Sequence, residues 1–323
     1  MELFVFHNGK LSVEETGQFQ ELAIPKSGFL WLDFHREEAA AWPEIVKQLT
    51  GVEIFENHVR DSFNSMHPSF SDFTENYEMI IFPSLSPNAS NGGISTQPSA
   101  FFLLGQLLVT VRLSDTPAVH MVRKRLKQKS DHAPRKPAEL LYLILNEMVE
   151  GFLALRKPLA EQSRAWEEEL LETKKVFQDW SLLQNHRKQL GALESICEEQ
   201  EDCISIWRER TGAAVSGHLE VRFNDLLEHI RRVLSHVQKT RFQVDSLVQL
   251  HYSAVTHRTN EIMRVLTVVA AVFLPLSLLA GIFGMNFEHM GIFHYSSGHI
   301  IVLGGMACLA GLLLWIFRLK EWI

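Results

Sequence analysis

Residues 265–283, VLTVVAAVFLPLSLLAGIF, carry no charge, and as a helix they extend about 28 Å, close to the hydrocarbon thickness of a bilayer. A second uncharged run fills residues 300–317. One such run also suits the core of a soluble protein; two of them around a short polar loop predict a membrane hairpin. Pro275 inside the first run is tolerated in a membrane helix, where neighbouring helices and hydroxyls such as Ser277 satisfy freed backbone groups. Arg258 and Arg264 precede the first run, Arg318 and Lys320 follow the second, and residues 287–299 contain no Lys or Arg. That asymmetry predicts a multi-pass protein of the cytoplasmic (inner) membrane with both termini cytoplasmic. Trp315 and Trp322 fit an interfacial belt at the inner leaflet.

Upstream, residues 221–263 place apolar side chains at three- and four-residue spacing, among them Phe223, Leu226, Leu227, Ile230, Val233, Val237, Val244 and Leu247. The pattern predicts a long amphipathic helix. With no Pro or Gly between Leu219 and Leu274, it runs into the first membrane stretch as one rod of roughly 60 residues and 90 Å. Such a rod is not stable alone. Its apolar stripe needs earlier helices of the same chain or copies of itself around a symmetry axis.

Residues 136–210 predict further helices, with Leu140, Leu141, Ile144, Met148 and Phe152 on the first and Leu193, Ile196, Ile204 and Trp207 on the second. Glu167, Glu168, Glu169, Glu172, Glu194, Glu198, Glu199, Glu201 and Asp202 make them acidic, as a solvated face or as an attractor of cations. The first 130 residues read as an α/β domain, with strand-like runs at 3–7, 28–34, 77–82, 101–104 and 107–112. Residues 84–98 read as a turn-rich loop.

Composition narrows the function. The chain has 323 residues and a formal charge of −7 from 31 Lys+Arg and 38 Asp+Glu, so no cationic field is available for nucleic acid. Cys197, Cys203 and Cys308 lack metal-site or redox spacing, which predicts buried or idle thiols and no disulfide framework. The opening segment, with Glu2, Glu14 and Glu15, reads as neither a signal nor a transit peptide, and an N-terminus in the cytoplasm is the expectation. No HExxH, P-loop or nucleophile elbow is present, so an enzyme and a cofactor are not expected.

The first apolar run closes on Gly281-Ile282-Phe283-Gly284-Met285-Asn286. A Gly-Met-Asn triplet that ends one membrane helix and precedes a short loop and another resembles the signature of the CorA family of magnesium and divalent-cation channels. Upstream, 259–267 (TNEIMRVLT) and Phe273-Leu274-Pro275 are similar to that family's pore helix. Leu30-Trp31-Leu32-Asp33, the run 107–112 followed by Ser114-Asp115, and 140–153 are similar to its cytoplasmic blocks in the same order. The resemblance implies a homopentamer with an α/β cytoplasmic funnel, a long all-α stalk and two transmembrane helices per chain. The divisions it suggests are 1–135 for the α/β domain, 136–215 for an acidic helical hairpin, 216–264 for the stalk, 265–286 for a pore-lining helix, 287–299 for an outer loop, 300–317 for the second membrane helix and 318–323 for a cytoplasmic tail.

The resemblance also assigns residues. Gly284, Met285 and Asn286 form the expected selectivity filter. Mg²⁺ sheds water reluctantly, and a ring of Asn286 carbonyls accepts hydrogen bonds from hydrated ions without trapping them. The same triplet also reads as a helix C-cap. Ser277, Leu274, Leu266 and Asn260 take the pore-facing positions, the two leucines as gates that close by dewetting; ordinary helix packing explains either leucine as well. Asp225 matches a stalk acid that holds regulatory metal in some members, although residues 84–97 offer no acidic partner and Gln249 stands at a position that is acidic in others. The outer loop has Glu288 beside His289, His294 and His299. Imidazole favours Zn²⁺, Co²⁺ or Ni²⁺ over Mg²⁺, which keeps a ZntB-like zinc transporter as an alternative, together with a non-conducting, membrane-anchored scaffold.

Overall fold

Seven strands, β1 (Glu2–His7), β2 (Lys10–Glu14), β3 (Phe29–His35), β4 (Phe70–Phe73), β5 (Glu78–Leu85), β6 (Thr96–Leu104) and β7 (Leu107–Arg112), form one sheet in the order β2-β1-β3-β7-β6-β5-β4. Every neighbouring pair is antiparallel except β3 and β7, which run parallel from Leu30 opposite Leu107 to His35 opposite Arg112. The computed structural model describes residues 1–7, 10–14, 23–87, 94–113, 116–128, 133–171, 180–211, 217–285, 297–320 and 322. The five expected strand runs are all strands. β2 and β4 are additional, and the expected loop at 84–98 is shorter than its composition suggested, because β5 and β6 pair as far as Leu85 opposite Thr96.

Helices cover both faces of the sheet, which is why β3, β6 and β7 are buried along almost their whole length rather than alternating. On one face Leu30, Leu32, Phe34, Val109, Val111 and Phe102 pack with Trp42, Val46 and Ile54, brought by α1 (Trp42–Thr50), α2 (Glu56–Phe63) and the segment between them. The Trp42 and Phe102 rings lie 4.6 Å apart. The other face carries α3 (Pro117–Gln128) and α4 (Pro137–Ala154), and α4 rests on β3, β5, β6 and β7. The expected division at residue 135 therefore falls before a helix that belongs to the sheet's own core.

A buried polar network ties the parallel pair together. Asp33 and Arg112 are almost wholly inaccessible, and the guanidinium donates to both carboxylate oxygens, Nε to Oδ1 at 2.9 Å and Nη2 to Oδ2 at 2.7 Å. Thr110 Oγ1 donates to Asp33 Oδ1 at 2.5 Å, and Trp31 Nε1 donates to Thr110 Oγ1 at 3.3 Å. Arg123 of α3 stands 3.6 Å from Asp33 Oδ2, pairs with Glu2 and lies over the Phe4 ring. Isolated charges would be costly here; bidentate pairing offsets much of that cost. Gly28, just before β3, has φ +117°, and a Cβ there would overlap the Phe6 carbonyl oxygen.

Three more helices complete the chain up to the membrane segments: α5 (Arg156–Leu171), α6 (Trp180–Thr211) and the start of α7 (Gly217–Phe283). Where two helices were read between residues 136 and 210, three stand among the described residues, because the backbone breaks at Leu155 between α4 and α5. α6 closes the β4 edge of the sheet: Ser71 Oγ donates to the Cys203 carbonyl at 3.3 Å, Gln200 Nε2 to the Pro83 carbonyl at 3.0 Å and Trp207 Nε1 to Glu78 Oε2 at 2.8 Å. Phe223 of α7 sits between Trp207, at 4.4 Å, and Tyr142 of α4, at 5.6 Å. Acids of α6 are used as ion-pair partners, with Glu201 bound to Arg231 at 2.6 Å and Glu194 to Arg241. The acidity therefore has a packing role in addition to solvation. Burial raises the thiols of Cys197 and Cys203 to about 12, so both stay protonated and inert.

The chain divides into two units, Met1–Asp245 and Ser246–Ile323. In the second, α7 continues through Pro275 without interruption and ends at Phe283, and α8 (Gly298–Leu319) follows. Both helices are long and apolar enough to cross a membrane, and the apolar stretch of α8 has no buried residue. A core helix of a soluble protein would be covered.

Candidate functional site

From residue 246 to 283, α7 makes no use of most of its apolar side chains. Leu266 is 58% exposed and Leu274 69%, and Asn260 and Ser277 are exposed as well. Leu247 at its start, at 6%, and Val268 and Val272 in the apolar run, at 7% and 8%, are the buried residues on this stretch. With 3.6 residues per turn, Asn260, Leu266, Leu274 and Ser277 fall within an arc of about 120°, and its centre lies about 160° from that of Val268 and Val272. The four expected pore positions thus share one face, opposite the face that their own unit covers. The arc also holds Met263, Thr267, Ala270 and Gly281, which the sequence reading did not assign to the pore wall; a helical wheel is the signal that finds them. Thr267 Oγ1 is turned back onto the Met263 carbonyl at 2.7 Å, leaving its methyl and an oxygen lone pair outward.

The helix closes with the Gly284 N–H donating to the Ala280 carbonyl at 2.9 Å and the Met285 N–H to the Ile282 carbonyl at 3.3 Å. A Cβ on Gly284 would stand 3.0 Å from the Ala280 oxygen, so this turn favours glycine. Gly281 is different: it lies inside the helix, and a Cβ there would meet nothing within 4 Å, so no contact among the described residues requires it. Asn286, Glu288, His289 and His294 lie outside the described residues. His299, expected in the outer loop, is instead the second residue of α8, because the helix begins at Gly298, and it is exposed.

Asp225 lies in the first unit, half exposed, with His229 Nε2 at 3.8 Å; His229 Nδ1 faces Glu150 of α4 at 3.5 Å. An imidazole cannot turn both nitrogens to one ion, and among the described residues no three acids, histidines or cysteines converge as a metal site. The neighbour at i+4 was legible from helical spacing, whereas Glu150 arrives from another element. Tyr142 adjoins this group beneath Arg222, and burial, with the nearby Asp225 and Glu150 charges, raises its phenol above the ordinary value.

A mixed α/β unit, a helix that passes from it into a strongly apolar segment and a second apolar helix define the class as a two-span membrane protein with a large soluble part. The model of the CorA-like Mg²⁺ transporter protein family matches residues 26–319, and the chain belongs to that family; it is a divalent-cation transporter of the CorA type. A cobalt/magnesium transport protein CorA of Thermotoga maritima is 25% identical over 323 residues, covering 97% of this chain and 90% of its own. The complete structure of the CorA magnesium transporter from Methanocaldococcus jannaschii superposes with a TM-score of 0.83 at 18% identity, over 100% of this chain and 99% of that one. The ZntB cytoplasmic domain from Vibrio parahaemolyticus gives 0.63 at 13% identity, over 81% and 98%. The last two show a shared fold.

Proposed function

We propose that five copies of this chain assemble around an axis lined by α7 and conduct Mg²⁺ into the cell, with both termini in the cytoplasm. The observation that carries this reading is the uncovered arc from Asn260 to Ser277, which mixes amide, hydroxyl and leucine side chains on a segment long enough to span lipid. Leu266 and Leu274 act as apolar constrictions that exclude water when narrow. Asn286, beyond the helix end, accepts hydrogen bonds from the ion's hydration shell, with Gly284 and Met285 shaping the turn before it. A divalent ion gains roughly 4.6 kcal/mol on entering across 100 mV, so no chemical energy source is needed. Five copies would meet along the open flank at Gly281, where a side chain would thicken the contact. A metal at Asp225 would need ligands from a neighbouring copy and is not part of this proposal.

Flux into protein-containing vesicles tests the reading. Wild type carries Mg²⁺, and Asn286→Ala reduces the discrimination of Mg²⁺ from other divalent ions; an intact pentamer without flux supports the scaffold alternative and contradicts conduction. The histidine-rich outer loop favours a second reading, transport of Zn²⁺, Co²⁺ or Ni²⁺. Replacing His289 and His294 of the loop and His299 at the start of α8 together by Ala lowers Zn²⁺ flux relative to Mg²⁺ if these histidines select the ion, and leaves the ratio unchanged if they do not.

A further inference from the structure

Both apolar segments carry cations at the ends remote from their connection. About 28 Å of helix axis separates Arg264 from the end of α7 at Phe283, and about 30 Å separates Arg318 from the start of α8 at Gly298. If both helices cross the bilayer, Arg264 and Arg318 stand at the same water interface. Lys320 is just beyond α8, and Arg258 lies one to two turns before Arg264. On the helical wheel Arg258 and Arg264 are about 140° and 100° from the centre of the candidate pore arc. Both therefore lie off the candidate pore arc.

Among the described residues, Arg258, Arg318 and Lys320 have no acidic group within ion-pair distance, and all three are exposed. The acids of the same stretches are Glu261 and Glu321; Glu261 is engaged by His257 Nδ1 at 3.6 Å. Two tryptophans flank the basic end of α8. Trp315 is 60% exposed, and Trp322 stacks on Phe317 with ring centroids 5.7 Å apart, its backbone N–H donating to the Phe317 carbonyl at 3.0 Å. Cations with no ion-pair partner among the described residues, beside indoles suited to the headgroup layer, leave room for a counter-charge that the membrane can provide.

We propose that Arg258, Arg318 and Lys320 form a collar that binds the phosphate groups of anionic phospholipids, so that the protein selects phosphatidylglycerol-type lipids over zwitterionic ones at this interface. The collar rests on the two-span membrane reading and is independent of conduction. Guanidinium and ammonium groups donate to phosphate oxygens, Arg in a forked geometry and Lys as a point charge. Attraction at a membrane surface declines within a Debye length, so the preference weakens as salt rises.

Quenching of tryptophan emission by brominated lipids reads the contact directly. Full-length protein is reconstituted in vesicles containing either brominated phosphatidylglycerol or brominated phosphatidylcholine at equal mole fraction, at low and at high salt. The expected result is stronger quenching by the anionic lipid at low salt. The apparent preference falls about five-fold for each cation neutralised and reaches parity in the triple variant Arg258→Gln, Arg318→Gln, Lys320→Gln. The charge-keeping triple variant Arg258→Lys, Arg318→Lys, Lys320→Arg retains it, which separates lost charge from lost folding. Equal quenching by both lipids in wild type, or a preference that survives the neutral triple variant, overturns the collar. Absence of quenching by either lipid overturns the membrane reading, and the collar with it.

Discussion

The two halves of α7 both carry many apolar residues, and these meet opposite fates. Up to Leu247 the helix buries Phe223, Leu226, Leu227, Ile230, Val233, Val237 and Val244, and arginines on its flanks are paired with α6. Beyond it, Leu250, Val255, Ile262, Leu266 and Leu274 remain exposed. Residues 250–264 precede the apolar span, so lipid does not explain all of this exposure. The first half spaces its apolar residues among charged ones and residues 265–283 carry no charge; the halves differ as well in whether one chain supplies the neighbour. Of these exposed residues Leu266 and Leu274 occupy positions expected to line a pore, and other copies of the chain are the partners proposed above for them.

That contrast can be broken most strongly in the covered half. Asp33→Ala leaves the Arg112 guanidinium buried without its partner, and Phe223→Ala removes a ring held between Trp207 and Tyr142. Each is expected to lower stability by about 3–5 kcal/mol, measured by denaturant unfolding of the full chain in detergent through tryptophan emission. In the uncovered half, Leu274→Asn is expected to shift that unfolding curve by less than about 0.5 kcal/mol while raising resting Mg²⁺ flux into vesicles, since a polar ring no longer dewets. Between the two extremes, Arg241→Gln costs less than about 1 kcal/mol, and the cost fades with added salt, as suits an exposed ion pair.

The smallest effect is a pH dependence. Burial raises the Glu78 carboxyl above its ordinary range, against the opposing hydrogen bond from Trp207. The folded state therefore holds this proton more tightly than the unfolded state does. Its contribution is fully present below the ordinary carboxylate value and is lost as pH rises through the higher folded value. Thermal unfolding across this range is expected to show wild type losing stability with rising pH relative to Glu78→Gln, whose amide oxygen still accepts from Trp207. Parallel curves contradict the assignment.

The sequence conveyed the parts of the fold that depend on local pattern. Uninterrupted apolar runs announced the membrane segments, and the absence of Pro and Gly before Leu274 announced an unbroken α7. β2 and β4 escaped because edge strands have little alternation to display: KLSVE and FSDF are short and mixed. The partner of a helix is likewise invisible in its own periodicity, so α4 was separated from the sheet it covers. The same limit applies at the site. Helical spacing places Asn260, Leu266, Leu274 and Ser277 on one face, and His229 beside Asp225, but nothing local brings Glu150 to His229 or shows that Val268 and Val272 take the covered side.

Electron cryo-microscopy of the full-length protein in lipid nanodiscs tests the central claim most directly. The account predicts a five-fold assembly with Leu266, Leu274 and Ser277 turned toward the axis and Val268 and Val272 turned away. An assembly in which the two valines face the axis, or in which the α7 segments stand apart with Leu274 in lipid, contradicts it.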